Sequence, residues 1–193
     1  MDRIERILCI GDSNTWGYDP RSYLGSRYGP AERWTDRLAR EDRQILNAGE
    51  NGRAVPRRRE FPGTEALLRR YAPLDAVAVM LWANDLLQGS TAAETAGRME
   101  EFLVFLRTRP EGTVLLLVAP PPFRLGAWVP DAGLIRASET LAREYRALAE
   151  RIALPFADAG EWGVDLAFDG VHFTPEGHAA FAAGLAKRLD ELL

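Results

Sequence analysis

Cysteine is almost missing from this sequence: Cys9 stands alone, so no disulfide can close within the chain. That usage suits a reducing compartment. Histidine is scarce too, with only His172 and His178. Two histidines and one cysteine in an apolar run cannot build a typical zinc site. Gly-x-Gly-x-x-Gly and Walker loops are absent, and so is a Gly-x-Ser-x-Gly elbow. No metal or cofactor is therefore expected. Apolar runs stop short of the ~18 residues a membrane span needs. The opening MDRIERILCIGDS is not followed by a signal-peptide pattern, so a soluble, cytoplasmic protein is expected. Basic excess is lacking as well. Lys and Arg number 24 against 28 Asp and Glu, a formal charge of −4, which argues against a general nucleic-acid binder. Repeats, low-complexity tracts and linkers are not evident. The 193 residues suffice for one domain with a sizeable core, so residues 1–193 are read as a single unit.

What is present alternates between strand-like and helix-like segments. Short apolar runs lie at Ile7–Ile10, Ile45–Leu46, Ala76–Leu81, Val114–Ala119 and Leu154–Ala157. Most lack polar alternation, as strands buried on both faces do in a parallel sheet. Thr91-x-x-Glu94 reads as a capping box before Met99, Phe102, Leu103 and Leu106 on one helical face, and Pro110 with Gly112 ends that helix. Leu141, Tyr145, Leu148 and Ile152 form a second stripe. Thr174-Pro175 opens a third helix, with Phe181, Leu185, Leu189 and Leu192 facing the core. Five strands with helical crossovers predict an open, doubly wound α/β fold with helices on both faces. The segments Gly17–Pro30, Arg53–Gly63 and Pro120–Gly133 read as irregular and follow strands. The crevice at the carboxyl ends of the strands is where such folds place ligands.

Four short blocks at strand ends could carry chemistry. Gly11-Asp12-Ser13 follows the first strand, where a serine can present its Oγ at the crevice; alone it is equally a turn serine or a helix cap. Asp169-Gly170-Val171-His172 precedes the last helix. Serine needs a base, and the base needs an orienting carboxylate. His178 falls inside that helix and reads as a packing or capping residue. Trp82-Ala83-Asn84-Asp85 follows the third strand. An Asn there can offer its amide to an oxyanion, or simply make an Asn-Asp turn. Asn47–Gly52 follows the second strand, where a glycine lets a backbone N–H approach a ligand closely or just forms a tight turn.

Taken together and in this order, the Ser, Gly, Asn and Asp-x-x-His blocks resemble the SGNH, or GDSL, hydrolase family over essentially the whole chain. The stretch 7–20, the run Val118–Pro122 and residues 169–178 are similar to its arylesterase and acyltransferase branch. The resemblance implies a three-layer flavodoxin-like fold with a five-stranded parallel sheet in the order 2-1-3-4-5, residues 1–193 being one SGNH hydrolase domain. It implies Ser13 as nucleophile, His172 as base and Asp169 as its orienter. Ser13, Gly52 and Asn84 would form the oxyanion hole. The third block departs from the family's Gly-x-Asn-Asp by placing Trp82 at the glycine.

The expected reaction is hydrolysis of small carboxylic esters, or transacylation, through an acyl-enzyme. The alternatives are a thioesterase or lysophospholipase acting on longer chains, and a non-catalytic carbohydrate- or ester-binding relative. The partner is then a small-molecule ester, with neither nucleic acid nor membrane expected; a homo-oligomer is allowed. Trp16, Trp82, Phe123 and Trp128 are candidates to wall the pocket, against ordinary loop or core packing. For Trp82 the expectation is that its indole shares a side with Asn84, by strand alternation, and narrows the acyl pocket. Arg57-Arg58-Arg59, with Arg53 nearby, could bind an anionic substrate or be a solvated face. Cys9 reads as a small buried hydrophobe.

Overall fold

The computed structural model describes residues 4–22, 24–107 and 112–193. Five parallel strands are ordered β2-β1-β3-β4-β5: β1 Glu5–Gly11, β2 Arg43–Gly49, β3 Ala76–Met80, β4 Val114–Ala119 and β5 Phe156–Asp158. Helices α1 Ser13–Trp16, α2 Trp34–Leu38, α3 Phe61–Tyr71, α4 Ala83–Leu87, α5 Ala92–Arg107, α6 Ala132–Arg151 and α7 Pro175–Asp190 fill the connections. The doubly wound arrangement and strand order are those expected.

Alternation along the central strands divides the core in two. Leu8, Ile10, Val77, Val79 and Leu117 pack with Met99 and Phe102 of α5 and Leu141 and Tyr145 of α6. Ile7, Cys9, Ala78, Met80 and Val118 face the other way, onto Trp34 and Leu38 of α2 and Phe181, Leu185 and Leu189 of α7. A side-chain period of two thus sends neighbouring residues into opposite layers. The central strands β1 and β3 are apolar throughout that span because both faces are covered. The edge strand β2 is mostly half-buried.

The caps read from the sequence are formed. Thr91 N–H donates to the Glu94 carboxylate at 2.8 Å, and Glu94 N–H donates back to Thr91 Oγ1 at 3.2 Å. Gly177 N–H donates to Thr174 Oγ1 at 3.0 Å at the head of α7. Gly112 lies past α5 with φ +77°, while Pro110 falls outside the described residues. Boundaries move: β5 starts at Phe156 rather than Leu154, β2 extends to Arg43–Gly49, and the irregular stretch expected to reach Gly63 gives way at Phe61 to α3, with Pro62 in its first turn, where proline is tolerated. Among the described residues no helix is long and apolar enough to cross a membrane.

Candidate active site

β1 delivers Ser13 directly to the sheet's carboxyl end. Asp12 caps the short helix α1 by accepting the Asn14 N–H at 2.9 Å, which turns the chain sharply and sets Ser13 at the first helical position. Ser13 keeps 7 % of its surface open. On the far side of the chain, Gly170 has φ +81°, and a Cβ there would stand 2.1 Å from the Arg124 carbonyl oxygen. Only glycine fits both demands. The turn it makes folds Asp169 back over His172: Asp169 Oδ1 accepts the backbone N–H groups of Val171 and His172, both at 2.9 Å.

The three side chains expected to act together are brought together. His172 Nδ1 lies 2.7 Å from Asp169 Oδ2, and His172 Nε2 lies 2.9 Å from Ser13 Oγ. A carboxylate can only accept, so Nδ1 carries the proton and Nε2 offers its lone pair to the serine hydroxyl. Burial pushes the Asp169 carboxyl up, but the hydrogen bond and charge of His172, with the two backbone N–H groups, outweigh it and hold it below its ordinary value. Burial drives Asp12 the other way, up to about 6, against the Asn14 N–H and the charge of His172.

The remaining blocks meet beside them. Gly52 is exposed, at φ +77°, with open space where a Cβ would be. Backbone conformation, not crowding, therefore selects glycine there. Asn84 Nδ2 donates to the Arg53 carbonyl at 3.0 Å, so the Asn84 block is fastened to the residue next to Gly52. That bond uses one of the two amide N–H groups. Asp85 locks the same corner. Its carboxylate accepts the Val55 N–H at 2.9 Å and pairs with Arg98 of α5 at 2.8 Å.

Two residues in contact with this geometry escaped the sequence reading. Asn14 donates from Nδ2 to the Val171 carbonyl at 3.1 Å and accepts the Phe173 N–H at 2.9 Å, joining the serine block to the histidine loop. The rings of Tyr18 and His172 sit 4.6 Å apart. Asn14 stands beside Ser13 in sequence, but nothing local marks a contact made across more than 150 residues.

The four aromatic residues expected at the pocket wall separate. Trp128 is 48 % exposed and meets the His172 ring edge-on at 4.9 Å. Trp16 is half-buried, with the Arg27 guanidinium 5.3 Å from its ring centre. Trp82 and Phe123 depart from expectation: they are 0 % and 2 % exposed, lie in the core, and pack on each other at 4.2 Å. The physical reason is local. β3 ends at Met80 and α4 begins at Ala83, so strand alternation does not carry from Trp82 to Asn84. Among the described residues no cluster of three or more His, Cys, Asp or Glu could hold a metal ion.

Comparison with known proteins gives a family and a fold. The model of the GDSL-like lipase/acylhydrolase family matches residues 9–180. Among solved structures, a carbohydrate acetylesterase family member from Sinorhizobium meliloti is 29% identical, with a TM-score of 0.87 over 98% of this chain and 99% of that one. The native M. smegmatis aryl esterase is 31% identical, with a TM-score of 0.84 over 98% and 100%. The search of curated proteins found no match.

Proposed function

The chain belongs to the GDSL-like lipase/acylhydrolase family and is a hydrolase; from that premise we propose that it is a serine esterase for small carboxylic esters, with Ser13, His172 and Asp169 as its triad. The observation that carries this reading is the unbroken hydrogen-bond chain from Asp169 Oδ2 through the imidazole to Ser13 Oγ, at 2.7 and 2.9 Å. Residues 1–193 act in it as one hydrolase domain.

In this mechanism His172 Nε2 takes the Ser13 proton as Oγ attacks the ester carbonyl carbon. The carbonyl oxygen becomes an oxyanion held by the Ser13 and Gly52 N–H groups and the remaining Asn84 amide N–H. Collapse expels the alcohol, which receives its proton from His172. Water, or a second alcohol, then attacks the acyl carbon as His172 takes its proton; collapse breaks the bond to Ser13 Oγ, which receives that proton from His172, and the acid or new ester leaves. Asp169, already held as a carboxylate, keeps the imidazole in the required tautomer and stabilises its charged form. Trp128 and Tyr18 flank the imidazole, so they suit the alcohol side of the substrate. The aryl esterase and acetylesterase similarities favour small acyl groups.

The test is covalent. A fluorophosphonate should label the wild-type protein at Ser13. Ser13→Ala should lose both labelling and p-nitrophenyl acetate turnover while keeping its melting temperature. Substantial turnover by a folded Ser13→Ala protein would end this reading.

A further inference from the structure

Beside the serine site the surface holds a cavity of about 640 Å³ that begins at Gly52 and runs to the opening turn of α3 and to Asp85. Ile10, Val55 and Leu67 supply apolar wall, and Arg53, Arg57, Arg59 and Arg98 supply charge. Two of the acidic lining residues pair with lining arginines, and the third is bound to backbone. Asp85 pairs with Arg98, Glu50 pairs with Arg53, and Glu60 accepts the Arg57 backbone N–H at 2.8 Å. Arg58, between the two others, turns to Glu101 at 2.9 Å. Arg57 and Arg59 are exposed and have no ion-pair partner among the described residues. With Glu60 counted, the lining carries four guanidinium groups against three carboxylates, so the cavity is net positive by one on a chain of net charge −4, a local departure from the molecule's overall sign.

The mechanism fixes which half of an ester can reach them. The departing alcohol must take its proton from His172 Nε2, so it lies on the side of His172 and Trp128. No residue of the loops that carry Trp128 and His172 lines the cavity. Gly52 does, and it belongs to the proposed oxyanion hole. Ser13 and Asn84 do not line it, so Gly52 is its one link to the proposed site; with the alcohol on the side of His172, the cavity is the space on the opposite side that an acyl substituent running along Gly52 would enter. The volume is within the range of small-molecule sites. A guanidinium fork is matched in shape and charge to a terminal carboxylate.

We infer that this cavity is the acyl subsite and that it selects acyl chains ending in a carboxylate, that is, hemiesters of short dicarboxylic acids. The inference rests on the esterase reading above. It commits Arg57 and Arg59 to the terminal carboxylate and the apolar wall to the methylene chain.

The experiment compares two p-nitrobenzyl esters of matched length, the glutarate hemiester and the pentanoate, in which a methyl replaces the carboxylate. Their kcat/KM values are measured on the wild-type protein and on an Arg57→Gln, Arg59→Gln double variant. The wild type should favour the hemiester. The hemiester-to-pentanoate ratio should fall about tenfold in the variant, the scale of losing two partly exposed ion pairs. Raising the salt concentration should lower the same ratio in the wild type. A wild type that prefers pentanoate, or a ratio indifferent to the double substitution, overturns the subsite and leaves the esterase standing. A protein that hydrolyses neither ester and takes no fluorophosphonate label overturns both.

Discussion

Asn84 has one amide and two tasks. One N–H holds the Arg53 carbonyl at 3.0 Å; the other is the one the proposed mechanism assigns to the developing oxyanion. The first task exists in the resting protein, the second only once the carbonyl oxygen takes charge. Asn84→Ala should therefore lower kcat by roughly 100–1,000-fold with little change in KM, the usual cost of one lost oxyanion donor. Steady-state kinetics decides this, and a defect confined to KM would make Asn84 a substrate-binding residue instead. At this scale the sequence was informative where a residue type is scarce. With two histidines, only His172 has a carboxylate three residues ahead in a loop, and the structure brings that pair to Ser13. It was uninformative where a common residue acts through a distant partner. Asn14 stands beside Ser13 with nothing to mark it until its amide is seen bridging Val171 and Phe173.

At the level of elements, legibility followed burial. β1, β3 and β4 show as apolar runs because helices cover both their faces. The helix α3 did not show: Leu68 is its one fully buried residue, and Pro62 and Gly63 near its start read as loop. The five-residue α2 and α4 are too short for a 3.6-residue period to appear. The strand-to-helix junction at Trp82 illustrates what is lost. Its side chain was expected beside Asn84, but the strand stops at Met80, and the indole enters the core against Phe123. Trp82→Gly should therefore cost ~3–5 kcal/mol of stability, as large-to-small core changes do. At roughly 2–4 °C per kcal/mol for a chain of this size, the melting temperature should fall by about 6–20 °C. The preference among acetyl, butyryl and octanoyl esters should not move. Trp82→Phe should be milder, because the indole Nε1–H meets no acceptor among the described residues and phenylalanine removes it. A normal melting temperature with a shift toward octanoyl esters in Trp82→Gly would return the indole to the pocket wall.

For the molecule as a whole, the second histidine is one buried group whose titration should cost stability in acid. His178 is fully buried in α7, between the rings of Tyr28 and Phe173 at 5.2 and 5.4 Å, and its Nδ1 accepts the Trp34 N–H of α2 at 3.4 Å. It thus joins α2 and α7, the two helices covering one face of the sheet. Burial pushes its imidazole down to about 3, with the charges of His172, Arg37 and Arg33 adding to the effect. An unfolded histidine titrates near ~6.5. Between those values the unfolded chain binds a proton that the folded one refuses. The stability is fully present above about 6.5 and drains away as pH falls toward 3, by up to about 1.4 kcal/mol per pH unit. Asp12 works with the opposite sign. Raised from 3.8 to about 6, it is protonated in the fold first, so its share of stability is lost as pH rises through that window. Comparing two proteins that both keep Asp12 cancels this contribution. His178→Asn is the suitable partner for the wild type: it keeps an acceptor near the Nδ1 position but loses the ring and the titration. It should be less stable at pH 7.5 by about 1–3 kcal/mol, from the space the ring leaves. Urea unfolding at pH 7.5, 6 and 4.5 should then show the gap between the two proteins narrowing, because only the wild type loses this stability on acidification. A gap that stays constant across that range would mean that the buried imidazole accepts its proton in the fold as readily as in the open chain.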